Sequence, residues 1–187
     1  FYGYHLAVSG DGTTIVASAM YNDDSGNDTG MARVLEWNGT TWVQKGSDID
    51  TPSVTVASPL FGSKVAISHD GDTVAITGSS NNDTSGACCI FDWNSSTSSW
   101  DENGSRLIMP SQPGPWNYNI TSTWPGWSDV SLNEDGTRLA LVAPKYRISG
   151  SGNSYVRGPI FIYDRANRNA GFGIDYDSHL PTTTHHS

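Results

Sequence analysis

Along most of this chain, apolar and polar residues alternate in short runs that end at Gly, Asn or Asp. A period of two places successive side chains on opposite faces of an extended strand, so the pattern predicts short strands joined by tight turns. Three of the runs share one form. Leu6-Ala7-Val8-Ser9-Gly10-Asp11-Gly12, Val65-Ala66-Ile67-Ser68-His69-Asp70-Gly71 and Val130-Ser131-Leu132-Asn133-Glu134-Asp135-Gly136 lie at offsets of 59 and 65 residues. Each is an alternating stretch, a polar residue and then x-Asp-Gly. A second run follows each: Thr14-Ile15-Val16-Ala17, Thr73-Val74-Ala75-Ile76 and Arg138-Leu139-Ala140-Leu141. Asp-Gly between two alternating runs predicts a β-hairpin, because Gly supplies the positive φ of the tight turn.

The likeness extends to a third strand. Six residues beyond Gly30, Gly86 and Gly158 stands an acid, Glu36, Asp92 and Asp164, each preceded by an apolar pair. The first two repeats continue with Trp37-Asn38 and Trp93-Asn94, a turn, and Trp42 or Trp100 on a fourth strand. The recurrence of these four Trp assigns them to packing within the repeats. The third repeat lacks them, and its fourth strand is expected at residues 172–176.

The expected fold class is therefore all-β: three repeats of four-stranded antiparallel sheets, arranged as β-propeller-like blades. They make one repeat domain over residues 1–187, with repeat 1 at 1–60, repeat 2 at 61–125, repeat 3 at 126–180 and a polar tail at 181–187. A closed propeller has about four to eight blades. Three therefore need further blades from partner chains or a longer array, and a three-sheet prism or a β-sandwich is the alternative.

Phe61-Gly62 before the first strand of repeat 2, the x-Asp-Gly hairpins and the Gly-led third strand together resemble the FG-GAP repeat. That repeat forms the blades of integrin α-chain propellers and of many large secreted proteins of algae and other protists. The resemblance spans nearly the whole chain and implies a secreted propeller. It also raises calcium, which the family holds in loops with alternating Asp-x-Asp spacing. Here Asn22-Asp23-Asp24-Ser25-Gly26-Asn27-Asp28 has enough oxygen ligands for a hard cation. Asn81-Asn82-Asp83-Thr84 has not, and the third loop, 146–155, contains no acid. Solvated Asx turns are the simpler expectation for all three, and no other cofactor is expected.

The compartment follows from Asn sequons, which occur at Asn27, Asn38, Asn82, Asn94, Asn103 and Asn119. Six is about twice the roughly three that chance gives in so Ser- and Thr-rich a chain. Asn38 and Asn94 occupy the same turn of their repeats, as Asn27 and Asn82 occupy the same loop. Covalent N-glycans on an extracellular, secreted protein are expected. The chain opens at Phe1 without an initiator Met, which reads as a processed product or a portion of something longer. Cys88 and Cys89 are neighbours, read first as one small apolar side chain on each face of a buried strand, with a vicinal disulfide and then an intermolecular bridge as the alternatives.

The formal charge is −9, from 19 acids against 10 bases, a sign that repels phosphate backbones and excludes nucleic acid as a partner. No apolar run reaches the roughly 20 residues of a membrane span. The five His show no zinc-ligand spacing, and no nucleophile elbow or phosphate loop is present. Paired carboxylates serve glycosidases, but Glu36, Asp92 and Asp164 recur once per repeat, which favours a structural role. An enzyme is not expected.

Three Trp do not recur with the repeat. Trp116, Trp124 and Trp127 lie in the connection 110–127, where an exposed aromatic platform would stack on sugars or on a neighbouring subunit. The competing expectation is a loop pinned to the core by its own Trp. The tail residues Pro181, Thr182, Thr183 and Thr184 suit a subunit contact made as an added edge strand, or O-linked sugar. Together these features lead to a structural subunit of an extracellular glycoprotein assembly, a filament among its forms, with copies of itself as partners. The alternative is an adhesion or carbohydrate-binding propeller module, with glycans or cell-surface proteins as partners.

Overall fold

The computed structural model describes residues 2–50, 60–78, 86–108, 127–142, 146–147, 155–156, 160–165 and 173–175, the last three-residue strand and the two short pairs through their backbone alone. Asn82, Asn119, Trp116, Trp124, Pro181, Thr182, Thr183 and Thr184 lie outside them. The described residues are all-β, with several antiparallel sheets and no helix.

The first sheet contains β1 (Leu6–Val8), β2 (Thr14–Ala19), β3 (Met31–Trp37), β4 (Trp42–Gln44) and β5 (Ile49–Asp50). The second contains β6 (Lys64–Ile67), β7 (Thr73–Gly78), β8 (Ala87–Asn94), β9 (Ser99–Glu102) and β10 (Leu107–Ile108). The third has β11 (Asp129–Leu132), β12 (Arg138–Val142), β15 (Ile160–Asp164) and β16 (Gly173–Asp175), and β13 (Tyr146–Arg147) pairs with β14 (Tyr155–Val156) as a ribbon of its own. Within the three larger sheets all strand pairings are antiparallel, and the first three strands of each pair in chain order. Where the sequence pattern shows only a polar loop at 146–155, the structure thus adds a two-stranded ribbon.

The expected fourth strand is divided in the first two sheets. β4 and β5 both pair with β3, and β9 and β10 both pair with β8. Gly46 and Gly104 stand in the breaks at φ 76° and 78°, a left-handed backbone that regular strand geometry does not contain. The ladder nevertheless continues up to each break, because Lys45 N–H donates to Val34 O and Asn103 N–H to Ile90 O.

One hydrogen-bond unit closes all three x-Asp-Gly hairpins. Ser9 N–H donates to Thr14 O, and the Ser9 hydroxyl accepts from Thr14 N–H at 2.9 Å. Ser68 repeats both bonds with Thr73, and Asn133 does so with Arg138 through its amide oxygen at 2.7 Å. The Asp of each turn accepts the backbone N–H two residues on, from Thr13, Asp72 and Thr137. These Asx turns leave the following Gly at φ 75°, 73° and 66°.

Two cores result. Val16, Ala32 and Val34 of the first sheet pack against Phe61, Val65, Val74, Ile76, Cys89 and Phe91. On its other face the second sheet sets Ala66, Ala75, Cys88 and Ile90 against Val130, Leu139, Leu141, Phe161 and Tyr163. The second sheet is therefore sandwiched, and the neighbouring thiols serve different cores, as strand alternation predicts. Both are free, and burial pushes Cys88 well above the ordinary thiol range and Cys89 up to about 12.

Glycines set the spacing between sheets. A Cβ on Gly62 would lie 2.8 Å from Ser18 Cβ and 2.9 Å from Met31 O, and one on Gly30 would clash with Phe61 O. The turn Gly71 sits against Thr14 of the first sheet, as Gly136 sits against Thr73 of the second. The second and third hairpin turns thus rest on the start of the second strand of the sheet before them.

Candidate functional site

The strand register assigns a face to each side chain of the first sheet. Leu6 lies opposite Ala17, Val8 opposite Ile15, and Ile15 opposite Leu35. These five share the face turned away from Val16 and Val34, and so away from the second sheet. Leu6 is 59% exposed and Val8 50%. Their counterparts on the second sheet face the first, and Val65, in Leu6's position, is only 2% exposed. Tyr2 stands where the second sheet has buried Phe61, yet it is half exposed, beneath the Arg33 guanidinium at 4.5 Å. Arg33 is held by a bidentate pair with Asp48 at 2.6 Å. Among the described residues no atom lies within 4 Å of a Cβ on Gly3 or Gly12, the counterparts of the tightly fitted Gly62 and Gly71.

The same difference separates the Trp pairs. Trp93 and Trp100 form a tilted pair at 5.3 Å, and Lys45 of the first sheet lies over both rings, 5.3 and 5.8 Å from their centroids. Trp100 Nε1–H donates to Lys45 O, and Lys45 Nζ reaches Asp72 at 2.7 Å and Glu36 at 3.3 Å. Trp37 and Trp42 form the matching pair at 5.6 Å on the first sheet, but they are 41% and 38% exposed. Sequence recurrence assigned them to packing within the repeat. In the structure the second pair packs on the first sheet, and among the described residues no sheet covers the first pair.

Each recurring acid pairs with a cation: Glu36 and Asp92 do so at junctions between sheets, and Asp164 within the third sheet. Glu36 meets Lys45, Asp92 meets Arg165, and Asp164 meets Arg138. Asp92 also accepts from Thr73 and Asn103. It lines an open polar cleft of about 310 Å³ with Trp93, Asn94, Asp101, Glu102 and Asn103. Hydrogen bonds from Asn94 and Ser99 hold the Asp101 carboxyl below the usual range, and a general acid needs the opposite displacement.

Four sequon residues are described. Asn38 is exposed in the β3–β4 turn, its Oδ1 accepting from Thr40 and Thr41 N–H. Asn94 holds the matching turn of the second sheet and donates to Asp101 at 2.7 Å. Asn27 is exposed in the loop before β3, and Asn103 is half-buried beside Asp92. In the loop 22–28, Asn22 Oδ1 accepts from Asp24 N–H, and Asp23 Oδ1 accepts from Asp28 N–H. These two oxygens accept from backbone N–H groups of their own loop. Among the described residues no three His, Cys, Asp or Glu are grouped to hold a metal.

Trp127 departs from the exposed-platform expectation. It is 3% exposed, edge-on to Phe161 at 5.4 Å, and its Nε1–H donates to Leu107 O. Its ring lies in the core between the second and third sheets, because an indole with its one donor satisfied is favourable when buried. Junction residues that recurrence did not mark are Lys45 and Arg165. Only an unpatterned cation beside a recurrent acid hints at them. No protein-family model matches the chain, and no curated protein matches it.

Proposed function

We propose that this chain is a structural subunit of an extracellular glycoprotein assembly. Its three larger sheets are read as FG-GAP-like propeller blades, repeated three times, and its sequon Asn as carriers of N-glycans. The observation that supports this most is the outer face of the first sheet. It carries apolar residues at the positions that the second sheet buries, and it is bordered by the uncovered Trp37–Trp42 pair. Contiguous apolar surface of this kind marks an interaction site. Copies of the chain are the proposed partners, and a filament is one form that head-to-tail contacts without closure would take.

The test is the mass and shape of native secreted material, by light scattering and negative-stain microscopy, before and after enzymatic removal of N-glycans. Assemblies of one repeating chain, with a mass loss on glycan removal, are expected. Particles of single-chain mass at all concentrations would refute the assembly. One observation favours a carbohydrate-binding reading as the alternative: two tilted, exposed indoles are a sugar-stacking surface. A glycan-array signal lost in Trp37→Ala would select it.

A further inference from the structure

We infer that the outer face of the first sheet takes the outer face of the third sheet of a second copy. This rests on the assembly reading and specifies its contact. The argument begins with register. The faces that the first and second sheets present to their successors carry Val16, Ala32 and Val34, and then Ala75, Cys88 and Ile90. The matching positions of the third sheet are Ala140, Ile160 and Ile162, on the face opposite Leu139, Leu141 and Tyr163. Ala140 lies opposite Ile162 and Val142 opposite Ile160, so these four share that face. Ile160 is 48% exposed, whereas Cys88 in its place is fully buried. The molecule thus ends on one side in the face that begins a junction, and on the other in the face that completes one.

Charge supports the same pairing. At the internal junction a cation beside the recurring acid, Lys45 beside Glu36, lies over the Trp pair of the next sheet. On the third sheet Arg138 stands beside Asp164, with its side chain 67% exposed. Trp37 and Trp42 on the first sheet are the aromatic pair such a cation would cover, a favourable cation–π arrangement. The hairpin turn carrying Asp11 and Gly12 would meet the start of β12, as Gly71 meets Thr14 and Gly136 meets Thr73. The contact is heterologous. Two copies close it if the rotation permits a ring of six sheets, and otherwise it propagates.

The test uses two variants of the whole chain, Val8→Asp and Ile160→Asp. Both positions are half exposed in the single chain, so circular dichroism, and thermal melting at a dilution where the parent is single, should match the parent. Each variant alone should lose self-association by about 30-fold or more, the effect of disabling a central contact. Mixing the two should restore one intact contact and stop at pairs, with a change in Trp fluorescence that Arg138→Ala weakens. If the parent assembles and Val8→Asp assembles equally well, this pairing is wrong while the assembly reading stands. If Val8→Asp alone blocks assembly and Ile160→Asp has no effect, a face-to-face contact between two first sheets replaces it. A parent chain that stays single overturns both.

Discussion

At the scale of single residues, glycine separates local strain from packing. Gly3 and Gly62 share a left-handed backbone, at φ 93° and 91°, so an Ala at either is strained by about 1 kcal/mol or more. Only Gly62 is also in contact with Ser18 Cβ and Met31 O of the first sheet. Gly62→Ala should therefore destabilise by about 2 kcal/mol more than Gly3→Ala, a difference in the range of overpacking. Urea denaturation of the two variants measures it, and equal losses would show that the sheets separate freely at this point. Asp92 is a second such residue. Its pair with the buried Arg165, with Arg165 Nη1 donating to Asp92 Oδ1 at 3.1 Å, joins the second and third sheets. Asp92→Ala leaves a guanidinium buried without its carboxylate, and a loss of about 3 kcal/mol is expected in the same assay.

At the scale of elements, the hairpin turn is the unit. Its Ser9 or Ser68 side chain accepts one backbone N–H while its own N–H donates across the turn. Ser68→Ala leaves the buried Thr73 N–H without its Oγ partner, which costs about 1–2 kcal/mol. Ser68→Asn should recover most of it, because Asn133 makes the same bond in the third sheet. A melting series of the two variants decides this. If Asn recovers nothing, the Ser hydroxyl's own bond to Asp70 at 2.6 Å is the one that matters.

At the scale of the whole molecule, acid tests how the sheets are held together. His5 Nδ1 accepts from Val65 N–H, between the first strands of the first two sheets. Burial, then the positive charge of Lys64, holds its imidazole below the ordinary value of 6.5. The unfolded chain therefore binds the proton more readily. The stabilisation is full above pH about 6.5 and is lost as pH falls through the lower folded value. His5→Gln should flatten the dependence of melting temperature on pH between about 7.5 and 5, and an unchanged slope would assign the acid sensitivity elsewhere. Below that window Asp11 contributes. The Ser9 hydroxyl, with Thr13, lowers its carboxyl to about 2, so its share persists until pH falls from the usual carboxylate range through about 2.

The sequence by itself determined the strands and their turns. Period-two alternation, Asp-Gly turns and a Gly before each third strand are local signals, and they placed the hairpins at Ser9, Ser68 and Asn133 and the cysteines on opposite faces. The tail of the third sheet was legible as well, with residues 172–176 expected and Gly173–Asp175 found. What lies across sheets was not. Whether Trp37 or Trp93 is covered, whether Trp127 faces solvent or Phe161, and which cation meets Glu36 or Asp92 depend on residues tens of positions away. Alternation gives a side chain its face, but only the stacking of sheets decides whether that face meets another sheet. Leu6 and Val65 have the same local pattern and opposite burial, because the second sheet meets the first on that side, while among the described residues no sheet packs on that side of the first.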